Sequence, residues 1–160
     1  MINVQSTLAD LKSAVAAGDI NAGEIAQHYW DRASRLNETI NAFSWLDPDF
    51  LDRFAQNGAG FLPIGIKDVQ DVQGQANTKS SFMVTDKPVA ESSLFVERVL
   101  TAGFMTMGRT ASSELAAALT TESLKNGTTR NPWHEDATAS GSSGGSAAAV
   151  ASGMVPVATG

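Results

Sequence analysis

Apolar side chains in the N-terminal part of the chain recur at helical spacing. Leu8, Leu11 and Val15 fall on one face of a short helix that Ser6 or Thr7 can cap and Gly18 can end. Asn21 followed by Glu24 has the form of a capping box, and Ile25, Tyr29, Ala33 and Leu36 carry a second amphipathic helix to about Leu36. From Ile40 to Leu46 the pattern changes to a short run of β-formers that stops at Asp47-Pro48, which predicts a strand. Residues 49 to 56, with Phe50, Leu51 and Phe54, predict one more brief helix ended by Asn57-Gly58. The stretch from Leu62 to Val69 is almost continuously apolar and predicts a buried strand.

Between Gln70 and Glu91 periodicity is lost among Gln, Asn, Ser and Thr, so a loop is expected there. Ser92 or Ser93 then caps a helix carrying Leu94, Phe95, Val99 and Leu100, closed by Gly103. Phe104 to Met107 predicts a short strand, Gly108-Arg109-Thr110 a turn, and Ser112 to Leu119 a helix. Residues 121 to 139 are irregular, Ala147 to Ser152 predict a helix, and Met154 to Ala158 the start of another strand. Strand, helix, strand in that order is the pattern of an α/β fold with a largely parallel sheet.

The chain has 160 residues, 42% of them apolar and 18% charged, which suits a globular domain with a core rather than a disordered segment. A net charge of −6 argues against a surface built to hold nucleic-acid phosphates. The absence of cysteine excludes disulfides, thiolate zinc sites and a cysteine nucleophile. No basic and apolar leader opens the chain, and no apolar run is long enough to span a bilayer, so the expectation is a soluble cytoplasmic protein with no membrane partner. His28 and His134 have no ligand spacing around them, so no metal is expected, and His134 reads as a surface loop residue. The methionines read as core filler.

Two features carry chemistry. Lys67 is the anomaly in the apolar run from Leu62 to Val69. Strand alternation sends it and Asp68 to opposite faces, so a simple pair between neighbours is not expected. On local sequence, Lys67 is either the exposed end of the strand, snorkelling to water, or a buried amine whose pKa falls toward the range of a general base. The second feature is Gly141-Ser142-Ser143-Gly144-Gly145-Ser146, followed by the small-residue run from Ala147 to Gly153. A flexible linker would not need the helix-forming run. An anion site at a helix start is open to it, although neither the P-loop spacing nor Gly-x-Gly-x-x-Gly is present. A nucleophile elbow fails for want of histidine and acid partners.

Five segments taken together resemble the amidase signature family: Gly65-Ile66-Lys67-Asp68, Gly108-Arg109-Thr110, Ser113-Glu114, Asn131-Pro132-Trp133, and Gly141 to Ala151. The resemblance runs from Leu62 onward. It implies the N-terminal part of a mixed, largely parallel central sheet flanked by helices, with residues 1–58 a helical region and 59–160 the amidase signature domain, truncated before the segment that bears the nucleophile. It also implies a relay in which Lys67 is the base and Ser142, in a cis peptide, is the bridging serine. The nucleophilic serine and the oxyanion hole are then expected beyond Gly160, and the chain by itself is expected to be inactive.

The implied activity is hydrolysis of a linear carboxamide through an acyl-enzyme, with a small-molecule amide as substrate and no cofactor or metal. The same resemblance admits the A subunit of a tRNA-dependent glutamine amidotransferase, whose partners are its sister subunits. Outside the resemblance, a non-catalytic α/β phosphate-binding module remains the competing reading. Two positions depart from the family pattern. Ser140 stands where glycine is usual, which costs the loop backbone freedom, and Arg109 stands where lysine is common.

Overall fold

The computed structural model describes residues 2, 6–57, 60–134 and 136–160. Helix α1 spans Leu8–Ala17, with Thr7 as its cap in a capping box closed by Asp10, and ends on Gly18 at φ 75°. Helix α2 spans Ala22–Ile40 and opens on the expected box between Asn21 and Glu24. Its face Ile25, Ala26, Tyr29 and Ala33 is buried. The helix runs on to Ile40 because Asn41 takes up the left-handed conformation at φ 54° and stops it there. Strand β1 is accordingly Phe43–Leu46 and does not begin at Ile40. Helix α3, Phe50–Asn57, buries Phe50 and Phe54, and Trp30 of α2 stacks on Phe50. Gly58, the expected end of that helix, lies outside the described residues.

Strand β2, Leu62–Lys67, is buried at every position. After the irregular segment come α4, Leu94–Thr101, capped by Ser93, and β3, Phe104–Thr110. The sheet order is β1-β3-β2, with β1 antiparallel and β2 parallel to β3. On the far side of β2, Gly65 bridges Ala158 in parallel, donating to Val157 O and accepting from Thr159 N. The strand expected at residues 154–158 is realised as that one bridge.

Other expectations are corrected. Gly108, Arg109 and Thr110 do not turn the chain; they extend β3, paired with both neighbours. The β1 backbone approaches so closely that a Cβ on Gly108 would stand 2.3 Å from Trp45 O, so glycine here admits a neighbouring strand instead of making a turn. The helix expected from Ser112 to Leu119 shrinks to one 3-10 turn, Glu114–Ala116, because its N–H groups are drawn elsewhere: Ser113 N donates to Ser142 O and Leu115 N to Lys79 O. A small hairpin, β4 (Glu122–Ser123) with β5 (Gly127–Thr128), interrupts the stretch predicted as irregular. Helix α5 spans Gly144–Ala151, so it begins inside the Gly/Ser loop and not at Ala147.

The larger core joins Ile25, Ala33, Phe43, Phe50, Met107, Ala149 and Met154 between α2, α3, α5 and the sheet. Each large apolar side chain so buried stabilises the fold by roughly 1.5–3 kcal/mol. Ile64, Ile66, Val72 and Val96 form a second cluster with α4. Met107 and Met154 are fully buried as core filler, but Met83, in the irregular segment after β2, is exposed and fills no core. Among the described residues no helix is long and apolar enough to cross a membrane.

Candidate functional site

Lys67 is the last residue of β2 and is only 6% exposed, so the snorkelling alternative does not hold. Its backbone N donates to Thr159 Oγ1 at 2.9 Å, which ties the end of β2 to the segment beside it. Strand alternation turns Asp68 to the other face, where it accepts from Thr78 and Ser80. The Lys67 ammonium is left to face the Gly/Ser loop. Nζ donates to Ser142 Oγ at 2.8 Å and to Ser143 Oγ at 2.6 Å. Among the described residues no ion pair involves Lys67. With no carboxylate to hold the charged form, burial pulls its pKa below the ordinary lysine value.

The loop is held from three sides. The peptide between Gly141 and Ser142 is cis. Ser142 O accepts from Ser113 N at 3.1 Å, and Thr121 Oγ1 accepts from Gly144 N at 2.9 Å while donating to Ser140 O at 2.8 Å. Gly145 N donates to Ala111 O at 3.1 Å. Two N–H groups that an anion would need at the start of α5 are thereby used inside the protein, which argues against the phosphate-binding alternative. Glycine is required at these places: a Cβ on Gly144 would stand 2.3 Å from Thr121 Oγ1, and one on Gly145 2.4 Å from the backbone of Ala111.

Sequence reasoning paired Lys67 with Ser142 and left Ser143 without a role, yet Ser143 makes the shorter contact to Nζ. Its position next to Ser142 was the signal available. A hydroxyl chain was also missed. Ser146 Oγ lies 2.6 Å from Thr110 Oγ1 and donates to Thr159 O at 2.6 Å, fastening α5, β3 and the last residues together under the cluster. Gly160 follows directly, and a Cβ built on it would lie 3.5 Å from Ser143 Oγ. His134 is exposed on its loop. Among the described residues no three His, Cys, Asp or Glu side chains come together as metal ligands.

The family model described as Amidase matches residues 24–160. The chain is similar to the A subunit of glutamyl-tRNA(Gln) amidotransferase from Nitrosococcus oceani, at 34% identity over 96% of this chain and 34% of the relative. It is 36% identical to the protein of the same name from Burkholderia cenocepacia, over 96% of this chain and 33% of the relative. Among solved structures, 6-aminohexanoate cyclic dimer hydrolase superposes with a TM-score of 0.92 at 30% identity, covering 100% of this chain and 34% of that one. The native peptide amidase of Stenotrophomonas maltophilia superposes with a TM-score of 0.84 at 28% identity, covering 96% of this chain and 35% of that one. The chain thus spans about a third of the length of the relatives it matches.

Proposed function

Since the chain belongs to the Amidase family, we propose that it supplies the proton-relay half of an amide-hydrolysing site, with Lys67 as the base and Ser142 as the bridging hydroxyl. The observation that carries this is the buried Lys67 Nζ at 2.8 Å from Ser142 Oγ. In its neutral form the amine offers a lone pair, and the Ser142 hydroxyl donates to it. Ser142 in turn takes the proton of a nucleophilic serine contributed from outside residues 1–160, near Gly160, which already lies beside Ser143. That serine attacks the carbonyl of a linear carboxamide, and the proton passes back through Ser142 to the departing ammonia or amine. Water then releases the acyl group. The relay uses side chains alone, and Ser143, also within reach of Nζ, holds the amine in line while the proton moves.

The similarity to amidotransferase A subunits supports a second reading of the same relay. In it the amide is glutamine, and the ammonia passes to a reaction carried out with partner subunits. A cytoplasmic location accords with both, in a chain without cysteine.

Ammonia release from a panel of simple carboxamides and from glutamine, measured on the complete gene product, tests the proposal. Turnover of simple amides by the protein alone supports the hydrolase, and turnover of glutamine that needs partner subunits supports the amidotransferase. No ammonia from any amide, with or without partners, sinks both.

A further inference from the structure

The pairing of β2 with the segment beside it changes form at Lys67. Gly65 N donates to Val157 O and Gly65 O accepts from Thr159 N, the two bonds of a regular parallel bridge. The next bond of such a ladder would run from Lys67 N to Thr159 O. Lys67 N donates to the Thr159 side chain instead, at 2.9 Å to Oγ1, and Thr159 O accepts from Ser146 Oγ of α5 at 2.6 Å. The exchange keeps the buried amide of the lysine satisfied while it lets the main chain leave the sheet after Thr159. Gly160 accordingly lies against the Gly/Ser loop, where a Cβ on it would stand 3.5 Å from Ser143 Oγ.

The Thr159 hydroxyl is held in that orientation from its other side. Its one proton goes to Gln70 Oε1, so a lone pair is left to face Lys67 N. Thr159 is buried, and Gln70 is half-buried on the turn that follows β2. The backbone of Gln70 is fixed as well: its N donates to Lys67 O at 3.1 Å and its O accepts from Arg109 Nη2. The Ser146 proton is likewise committed to Thr159 O, so in the 2.6 Å contact between Ser146 and Thr110 it is Thr110 that donates. Every polar group of Thr159 thus has a partner, and those partners lie on β2, on the turn after it and on α5.

We propose that Thr159, with Gln70 behind it, is a positioning residue of the relay: its hydroxyl sets the end of β2 that bears Lys67, and its peptide starts the following chain on a course past Ser143. This rests on the relay in which the nucleophile stands near Gly160. One side chain thereby fixes base and nucleophile against each other, acting through the main chain of Lys67 and Gly160 and taking no part in proton transfer. Without the hydroxyl, Lys67 N regains an acceptor only by drawing the carbonyl of residue 159 back from Ser146, which pulls Gly160 to the sheet edge and away from the loop.

The test measures ammonia release from benzamide and from glutamine, and hydrogen exchange at the Lys67 amide, which is read whatever the substrate. It uses the complete gene product and its Thr159→Val, Thr159→Ser, Gln70→Met and Lys67→Ala variants, each first shown to be folded. Thr159→Val keeps the branched shape and is expected to lower kcat by about tenfold to a hundredfold with KM within about twofold, as misplaced reacting groups do. The Lys67 amide should exchange about tenfold faster in it. Thr159→Ser should restore both. Gln70→Met should lower kcat by about fivefold alone and by nothing further in Thr159→Val, since it acts only through that hydroxyl. Normal kcat or unchanged exchange in Thr159→Val, no rescue by Thr159→Ser, or losses that multiply in the double variant would each overturn the proposal. Should Thr159→Val not fold, Gln70→Met carries the test, and an unchanged kcat in it overturns the positioning. Where Lys67→Ala is inactive and Thr159→Val is not, the relay stands and the positioning falls; normal turnover by Lys67→Ala overturns both.

Discussion

Lys67 and Ser142 are 75 positions apart in sequence, and the fold brings Nζ to 2.8 Å from Oγ. Two anchors make that approach. β2 ends on Lys67 with its backbone N held by Thr159 Oγ1, and the loop carrying Ser142 is held from behind by Ser113 N. Neither anchor depends on a charge, so the amine can lose its proton without the site losing its shape.

The first expected consequence is a pH dependence. Burial without a counter-ion lowers the pKa of Lys67, and the relay needs the neutral amine. kcat/KM should therefore rise with pH through a midpoint below the ordinary lysine value and level off above it. Stability follows the same sign. Between the lowered folded pKa and the ordinary value in the unfolded chain, the unfolded state binds more protons, so this group's contribution to stability rises with pH across that window and is constant below it. Lys67→Met should remove this part of the slope in denaturant titrations from neutral to alkaline pH. A flat rate profile over the same range would count against Lys67 as the base.

The glycine at the start of α5 is a packing requirement. A Cβ on Gly145 would lie 2.4 Å from both N and O of Ala111 and 2.5 Å from Ala42 O, all backbone atoms with no rotamer to yield. Gly145→Ala should destabilise the protein by about 3 kcal/mol or more, as severe overpacking does. Chemical denaturation checks this, and a change within ~0.5 kcal/mol would mean that the close approach of α5 to β1 and β3 is wrong.

Ser140 is expected to behave in the opposite way. It sits at φ 62°, in the left-handed region, where a residue with a Cβ is disfavoured by about 1–2 kcal/mol. Glycine removes that cost and adds back roughly 0.5–1 kcal/mol of unfolded-state entropy. Ser140→Gly should thus be neutral to stabilising by about 1 kcal/mol in thermal or denaturant unfolding. Marked destabilisation would show that its hydroxyl, which donates to Leu119 O at 3.5 Å, matters more than its backbone conformation.

Much of this was legible in the sequence wherever local chemistry decides local structure. Thr7 with Asp10 and Asn21 with Glu24 announce helix starts because the caps are made by residues three apart. The buried run of β2 and the meeting of Lys67 with the Gly/Ser loop were readable for different reasons, the first from apolar continuity and the second from several motifs occurring in order. What failed was decided by distant partners. Gly108 to Thr110 carries turn-like residues, yet strands on both sides claim its hydrogen bonds. Residues 112 to 119 have helical composition, but Lys79 O and Ser142 O take the N–H groups that a helix would use. Ser146 and Thr110 are ordinary small polar residues in sequence, and only their meeting under the loop gives them a place.

The most direct measurement is ammonia release by Lys67→Ala, Ser142→Ala and the double variant of the complete gene product, each first shown to be folded. A proton relay works as a unit, so each single change should lower kcat/KM by about 10²–10⁴ and the double change should lose little more than either. Near-normal turnover in either single variant, or losses that multiply in the double, would contradict the relay between Lys67 and Ser142.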